Sequence, residues 1–432
     1  MPGDAKLGVV LRELRTARKL TLAAVARRAG CAESLISYIE TGRRQLHPWL
    51  AEKLDDIYQT GGAVVALLRG AARVEHERPN SGYPERDLLL VQLPEGGAPV
   101  PISRRELLTG LGIGALGGAL HDRLERAATH LELDDDSLTS LRRAFDGFQS
   151  AARVLPPERL IAPMTSHVAV VDVLRRRASS RQRTHYAIMQ ARYAESLSWL
   201  SEEAGDVQGA AYWTDRAAQW AQSANWIPMV AYTFVRRSMM SISFAGDGPL
   251  AVDNAQQVLE LQGAPDHVKG LAAKQMAYGH ALLRDADASA RALDAAMRLL
   301  DAPPREDESA LGQRSVVTDD LYAIFRTTCD IYLGRGDSVI PVLEPRLDAL
   351  SRASARTATI TRAKLTRAYA NAGQPLEACR LAWRVLDDAE AVGSLSARNE
   401  LRRSVPLLRR WEKRSEVREV LHRLRPRTAT TA

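Results

Sequence analysis

Cysteine is scarce in this chain of 432 residues. The three present, Cys31, Cys329 and Cys379, are too few and too scattered for a disulfide framework, so a reducing, cytoplasmic setting is expected. None lies in a CxxC, and the nine histidines show no ligand spacing, so no metal site is expected. Long apolar runs are also missing. Residues 107–120 form an apolar run of 14 residues, too short to span a bilayer, so no membrane partner is expected. The first 20 residues include Asp4, Lys6, Arg12, Glu13, Arg15, Arg18 and Lys19, which a secretory signal excludes. There is no HExxH, no GxSxG elbow, no GxxxxGK[ST] loop and no kinase signature. The sequence therefore reads as a non-enzyme without a cofactor.

Apolar residues reach 45% and charged residues 26%, enough for a packed core rather than global disorder. The formal net charge is +7, which permits a nucleic-acid partner without demanding one. Most of it lies at the start. Residues 1–50 hold nine basic and four acidic side chains, a surplus of 9 − 4 = 5. A DNA-contacting head would carry its field there. Arginine outnumbers lysine 52 to 7, so short arginine motifs arise by chance. Residues 402–427 carry ten basic and three acidic side chains. They read as the solvated face of a capping helix, with a nucleic-acid or dimer contact as the alternative.

Helical spacing puts Leu7, Val10, Leu11 and Leu14 on one face. Thr21 reads as the N-cap of a second helix, with Val25, Ala26 and Ala29 inward and Gly30 supplying a tight turn. A third helix turns Leu35, Ile36 and Ile39 inward and Ala32, Glu33, Ser34, Ser37 and Tyr38 outward, and Gly42 ends it. A fourth starts near Pro48, with Leu50, Leu54 and Ile57 inward.

The segment TLAAVARRAGCAESLISYIETG at 21–42 resembles the helix-turn-helix of the lambda-repressor/Cro type, the XRE family. The residues that carry the likeness are Thr21, Val25, Ala26, Gly30, Cys31, Ser34, Ile36, Ser37, Ile39, Glu40 and Gly42. That resemblance implies that Ala32, Glu33, Ser34, Ser37 and Tyr38 face base edges. It also implies that Arg18, Thr21, Arg43 and Arg44 hold the DNA backbone. Glu33 can accept from cytosine N4; the competing reading is a solvated carboxylate favoured by the helix dipole. Arg27 and Arg28 read as solvent-facing.

Five prolines and a Gly-Gly make residues 76–102 a linker, with a short strand at 88–93. Residues 103–120 contain several formal motifs: Arg104-Arg105 before an apolar run, a GxGxxG at 112–117, and glycines four apart at Gly110, Gly114 and Gly118. Ser103 and Glu106 form a capping box, so a helix rather than a strand is expected before the glycines, which argues against a dinucleotide site. The segment reads as a hinge or a packed helix, with docking on a partner subunit as the alternative. From 181 to 427 small-residue turns recur at Gly205-Asp206, Gly246-Asp247, Ala286-Asp287, Gly336-Asp337 and Gly373-Gln374, the spacing of helical hairpins stacked in a solenoid. Leu197, Ser198 and Ala210, then Leu365, Thr366, Tyr369 and Ala378, resemble tetratricopeptide repeats, five or six in number.

The expected fold is therefore all-α, a helix-turn-helix head at 1–75, a linker at 76–102, connecting helices at 103–180 and a repeat body at 181–427. In repeats of this kind the first helix of each pair lines a groove. That places Arg192, Glu195, Trp199, Arg236, Met240, Met276, His280, Arg326, Asp330 and Arg367 inward, where arginines suit a carboxylate or a peptide backbone. An ion pair within the chain is the competing fate of each. Trp213, Trp220 and Trp226 read as repeat core. Head and body together resemble the peptide-sensing transcriptional regulators of Gram-positive bacteria. By that resemblance the chain is a homodimer that reads two half-sites of double-stranded DNA and binds a peptide or small-molecule effector. The alternative is a DNA-tethered scaffold whose repeats bind a protein partner.

Overall fold

A computed structural model describes residues 5–60, 64–65, 67–68, 88–91, 100–103, 135–301, 311–312, 321–349 and 354–424. The fold is all-α apart from one antiparallel ribbon, β1 (Leu88–Val91) with β2 (Val100–Ser103), in which Leu88 faces Ser103 and Val91 faces Val100. The expected strand is thus present at 88–91, and Ser103 ends a strand where the sequence suggested a helix cap. Its antiparallel pairing is not the parallel one a dinucleotide fold needs. The remaining motifs at 104–120 lie outside the described residues. The contacts divide the chain into two compact units, 1–200 and 201–432.

The first unit begins with four short helices: α1 (Ala5–Ala17), α2 (Leu22–Ala29), α3 (Glu33–Glu40) and α4 (Pro48–Tyr58). Their spacing-predicted faces meet in one core of Leu7, Val10, Leu11, Leu14, Val25, Ala26, Ala29, Ile36, Ile39, Leu50 and Leu54. Leu35 and Ile57, expected inward, are only partly buried. Thr21 caps α2 by accepting from the Ala24 N–H at 3.1 Å, and Gly30 ends it at φ +68°. Three long helices follow: α5 (Asp135–Ala151), α6 (Glu158–Arg177) and α7 (Ser180–Ala204). α1 packs on α5. Between α5, α6 and α7 the rings of Phe145, Phe148, His167 and Tyr193 interlock edge to face or stacked, with Phe145 and Phe148 each 5.0 Å from a partner.

The second unit is a solenoid of tetratricopeptide-like hairpins. Its helices are α8 (Val207–Ser223), α9 (Ile227–Met240, prolonged by a π-turn at Ser241–Ala245), α10 (Gly248–Glu260), α11 (Asp266–Leu282), α12 (Ala286–Leu300), α13 (Leu321–Leu333), α14 (Gly336–Leu343), α15 (Ala355–Asn371), α16 (Pro375–Val392), α17 (Leu395–Arg402), α18 (Val405–Leu408) and α19 (Ser415–Arg423). α9 pairs with α10, α11 with α12, α13 with α14 and α15 with α16. The first members also touch in series, α9 to α11 to α13 to α15 to α17, forming one continuous row. Leu365, Thr366, Tyr369 and Ala378, which carry the repeat likeness, are all buried, as are Trp213, Trp220 and Trp226.

Aspartate caps define three of the hairpin turns; the helices that begin at Gly336 and Pro375 have no side-chain cap. Asp206, Asp247 and Asp285 accept from the N–H three residues on, at 2.8, 2.9 and 2.9 Å. Two turns therefore lie two residues earlier than the sequence suggested. The third is at Arg284-Asp285, where Arg284 takes φ +66°, and the fourth is at Gly334-Arg335, where Gly334 takes φ +85°. Ala286 and Gly336 are instead the first residues of their helices.

Candidate nucleic-acid interface

The side of α3 away from the core is open. Ala32, Glu33, Ser34 and Tyr38 are exposed and Ser37 is half-buried. Tyr38 keeps 44% of its surface accessible and Trp49 on α4 47%. Ala32, at the N-cap, contributes no side-chain hydrogen bond to the first turn of α3, where the Leu35 N–H donates to the Ala32 carbonyl at 3.0 Å. At the other end the chain folds back on Tyr38, whose carbonyl accepts from the N–H groups of Arg43 and Arg44 at 2.7 and 3.1 Å. This fixes the backbone of both arginines close to that of Tyr38, and both residues are exposed. Arg27 and Arg28 on α2 are exposed too.

Two features that the sequence did not single out hold α3 in place. Arg15 on α1 grips Glu40 at the end of α3 with two hydrogen bonds, 2.7 and 2.8 Å, and donates a third to the Leu20 carbonyl at 2.9 Å. The pair is largely buried, at 12% and 5% side-chain exposure, so water screens it only weakly. Gly8 lets α1 approach the same helix end. A Cβ there would lie 2.5 Å from the Ile39 carbonyl oxygen and 2.6 Å from that of Glu40. Lys53 on α4 ties down α2 by donating to the Ala29 carbonyl at 2.8 Å.

Arg18 and Thr21, expected on the DNA backbone, have other tasks. Arg18 is half-buried and donates to the carbonyls of Leu14 and Gln59 at 3.3 and 3.5 Å. Burial, with the like charge of Arg143, lowers its pKa. The backbone contact expected of Arg18 thus competes with these carbonyls. Thr21 uses its oxygen as the α2 cap but remains exposed.

The residues expected in the effector groove all fall on the row of first helices or on α7. They do not form a single open surface. Arg236 is buried against Glu202 at 2.6 Å. Arg367 lies 3.8 Å from Glu400 of α17. Arg326 and Asp330 are 3.7 Å apart, with Arg335 also 3.5 Å from Asp330. Arg192 covers the Phe145 ring at 4.7 Å, and Glu195 is buried. Trp199, Met240, Met276 and His280 are half-buried. For Arg236 and Arg367 the ion pair within the chain is the observed fate.

A compact four-helix head whose second and third helices meet at a glycine turn, with the third helix bare on its outer side, is a helix-turn-helix domain. Residues 6–68 match the family described as helix-turn-helix domain. This part of the chain is thus a DNA-binding head. Among curated proteins no relative matches. Among solved structures, a signal transduction ATPase with numerous domains (STAND) that carries a tetratricopeptide repeat sensor, from Pyrococcus horikoshii, is similar at 9% identity. The likeness covers 99% of this chain and 73% of that one, with a TM-score of 0.36. Among the described residues no helix is long and apolar enough to cross a membrane, and no cluster of three metal-ligating side chains occurs.

Proposed function

We propose that the chain is a sequence-specific transcriptional regulator of the XRE type, in which a helix-turn-helix head (residues 1–75) is governed by a repeat body (residues 181–427) that dimerises and senses an effector. The observation that carries the DNA-reading half is the bare outer side of α3, with Ser34, Ser37 and Tyr38 flanked by Arg43 and Arg44. Such a helix enters the major groove while its flanking arginines meet phosphates. One head offers few base contacts, so two copies reading two half-sites are needed for useful affinity. An effector acts only through unequal affinity for two arrangements of the body.

The test is a gel shift of the full-length protein on the DNA upstream of its own coding region, with excess nonspecific competitor, beside light scattering for mass. A shifted band that survives competitor, from a protein twice the chain mass, is expected. A band that competitor removes as easily as it removes nonspecific binding contradicts the reading.

A further inference from the structure

The middle of the first-helix row holds more positive charge than it can neutralise. Lys274 on α11 retains 5% of its surface, and its ammonium lies 5.0 Å from the Phe325 ring centroid and 5.9 Å from that of Tyr278. Among the described residues it meets no carboxylate and no hydrogen-bond acceptor. Lys364 on α15 donates to the Thr328 hydroxyl at 2.9 Å, a neutral partner. Arg367, one turn further along α15, lies over the Tyr332 ring at 5.1 Å; its Nε and Nη1 are buried without a hydrogen bond, and Nη1 makes only a long ion pair, 3.8 Å, with Glu400 Oε2. Glu400, the carboxylate facing these groups from α17, accepts from Tyr332 at 2.8 Å and from Arg403, and its Oε2 is left without a hydrogen bond.

The charge balance decides the matter. Glu400 acts on Lys364, Arg367 and Arg403 together but not on Lys274, and burial plus the like charge of Lys364 holds Lys274 down at about 8. At neutral pH the ammonium is still mostly charged. Buried cations are ordinarily paired, because an uncompensated charge in a site of low polarity is strongly unfavourable. Only seven lysines occur in the chain against 52 arginines, yet a buried one, Lys274, and a half-buried one, Lys364, stand on α11 and α15 on either side of α13.

We infer that Lys274, Lys364 and Arg367 form the anion-binding end of a ligand site on the first-helix row, which takes the carboxylate or phosphate group of a small molecule. Phe325, Tyr278 and Tyr332 supply the walls, and Thr328 a neutral hydrogen bond. The site brings together α11, α13 and α15, so an anion seated there ties three successive hairpins to one another. This deepens the effector-sensing reading above and rests on it for its regulatory meaning, although anion binding itself does not depend on DNA.

The experiment is calorimetric titration and thermal melting of the full-length protein with inorganic phosphate and, separately, citrate, against chloride at matched ionic strength. A saturable response with one site per chain is expected. Phosphate alone points to a phosphorylated ligand, citrate alone to a carboxylate, and both to a general oxyanion end; each supports the site. Lys274→Met and Lys364→Met are expected to weaken binding at least tenfold. In chloride alone Lys274→Met is expected to melt above the wild type, because it removes a charge without a partner. A wild type that answers neither anion beyond chloride, variants that bind as tightly as the wild type, or a Lys274→Met protein that melts lower would each overturn the inference. DNA binding measured on the same samples separates the two readings: intact DNA binding without anion binding removes only the site, and anion binding without DNA binding removes only the regulator.

Discussion

The recognition helix is held by two contacts. At Gly8 the added methyl of Gly8→Ala would meet backbone carbonyls that cannot move aside, so α1 and α3 must separate. A loss of about 1–3 kcal/mol is expected, with weaker operator binding. Unfolding by denaturant and fluorescence anisotropy on operator DNA check both, and an unchanged affinity would contradict the positioning role. Glu40→Gln leaves Arg15 buried beside a neutral group. It should cost about 3–5 kcal/mol, the usual penalty for breaking a buried pair from one side. His167 gives a pH dependence. Burial between Phe148 and Tyr193 lowers its pKa to about 4, against ~6.5 for a free imidazole. Above pH ~6.5 the ring is neutral in both states and nothing is lost. As the pH falls toward 4 the unfolded chain takes a proton that the folded one refuses, so stability drops by about 2–3 kcal/mol. Urea denaturation of wild type and His167→Phe at pH 7 and 4.5 tests this; equal losses in both would contradict it. Thr21 could be read from sequence because capping is a local rule. The Arg15–Glu40 pair spans 25 positions, which no spacing rule links.

Among the helices, periodicity told most of the story. The faces of α1, α2 and α4 follow the apolar spacing, and the outer side of α3 is what remains once Ile36 and Ile39 are buried. The turns were harder. Gly-Asp pairs mark Gly205-Asp206 and Gly246-Asp247 correctly, but at the third hairpin two aspartates, Asp285 and Asp287, compete, and the structure caps with Asp285. Arg284 adopts the left-handed conformation that a glycine would signal, so the turn has no glycine to announce it. Asp206→Ala, Asp247→Ala and Asp285→Ala should each cost about 1 kcal/mol, with Asp287→Ala close to neutral. Melting of the four variants checks the assignment. The strand at 88–91 was legible from its apolar run, whereas its partner at 100–103, with Pro101 inside it, was not.

For the whole molecule, the row of first helices was foreseeable from the repeat spacing, and so was the placement on it of Arg236, Met276, Asp330 and Arg367. Their partners were not. Glu202 of α7 reaches Arg236 and Glu400 of α17 reaches Arg367, and ion pairs between helices so far apart in sequence leave no trace in local spacing. The positive charge of the first 50 residues has a direct consequence. Arg43 and Arg44 stand exposed beside Tyr38, so each should add about one unit to the slope of log affinity against log salt. The central claim is that the outer side of α3 reads DNA. Anisotropy on the protein's own upstream DNA, comparing the wild type with the Ser34→Ala/Ser37→Ala/Arg43→Ala variant across a salt series, tests it most directly. The folded variant is expected to lose its preference for the specific site, with a salt slope lower by about one. A variant that binds the site as tightly and as selectively as the wild type would contradict it.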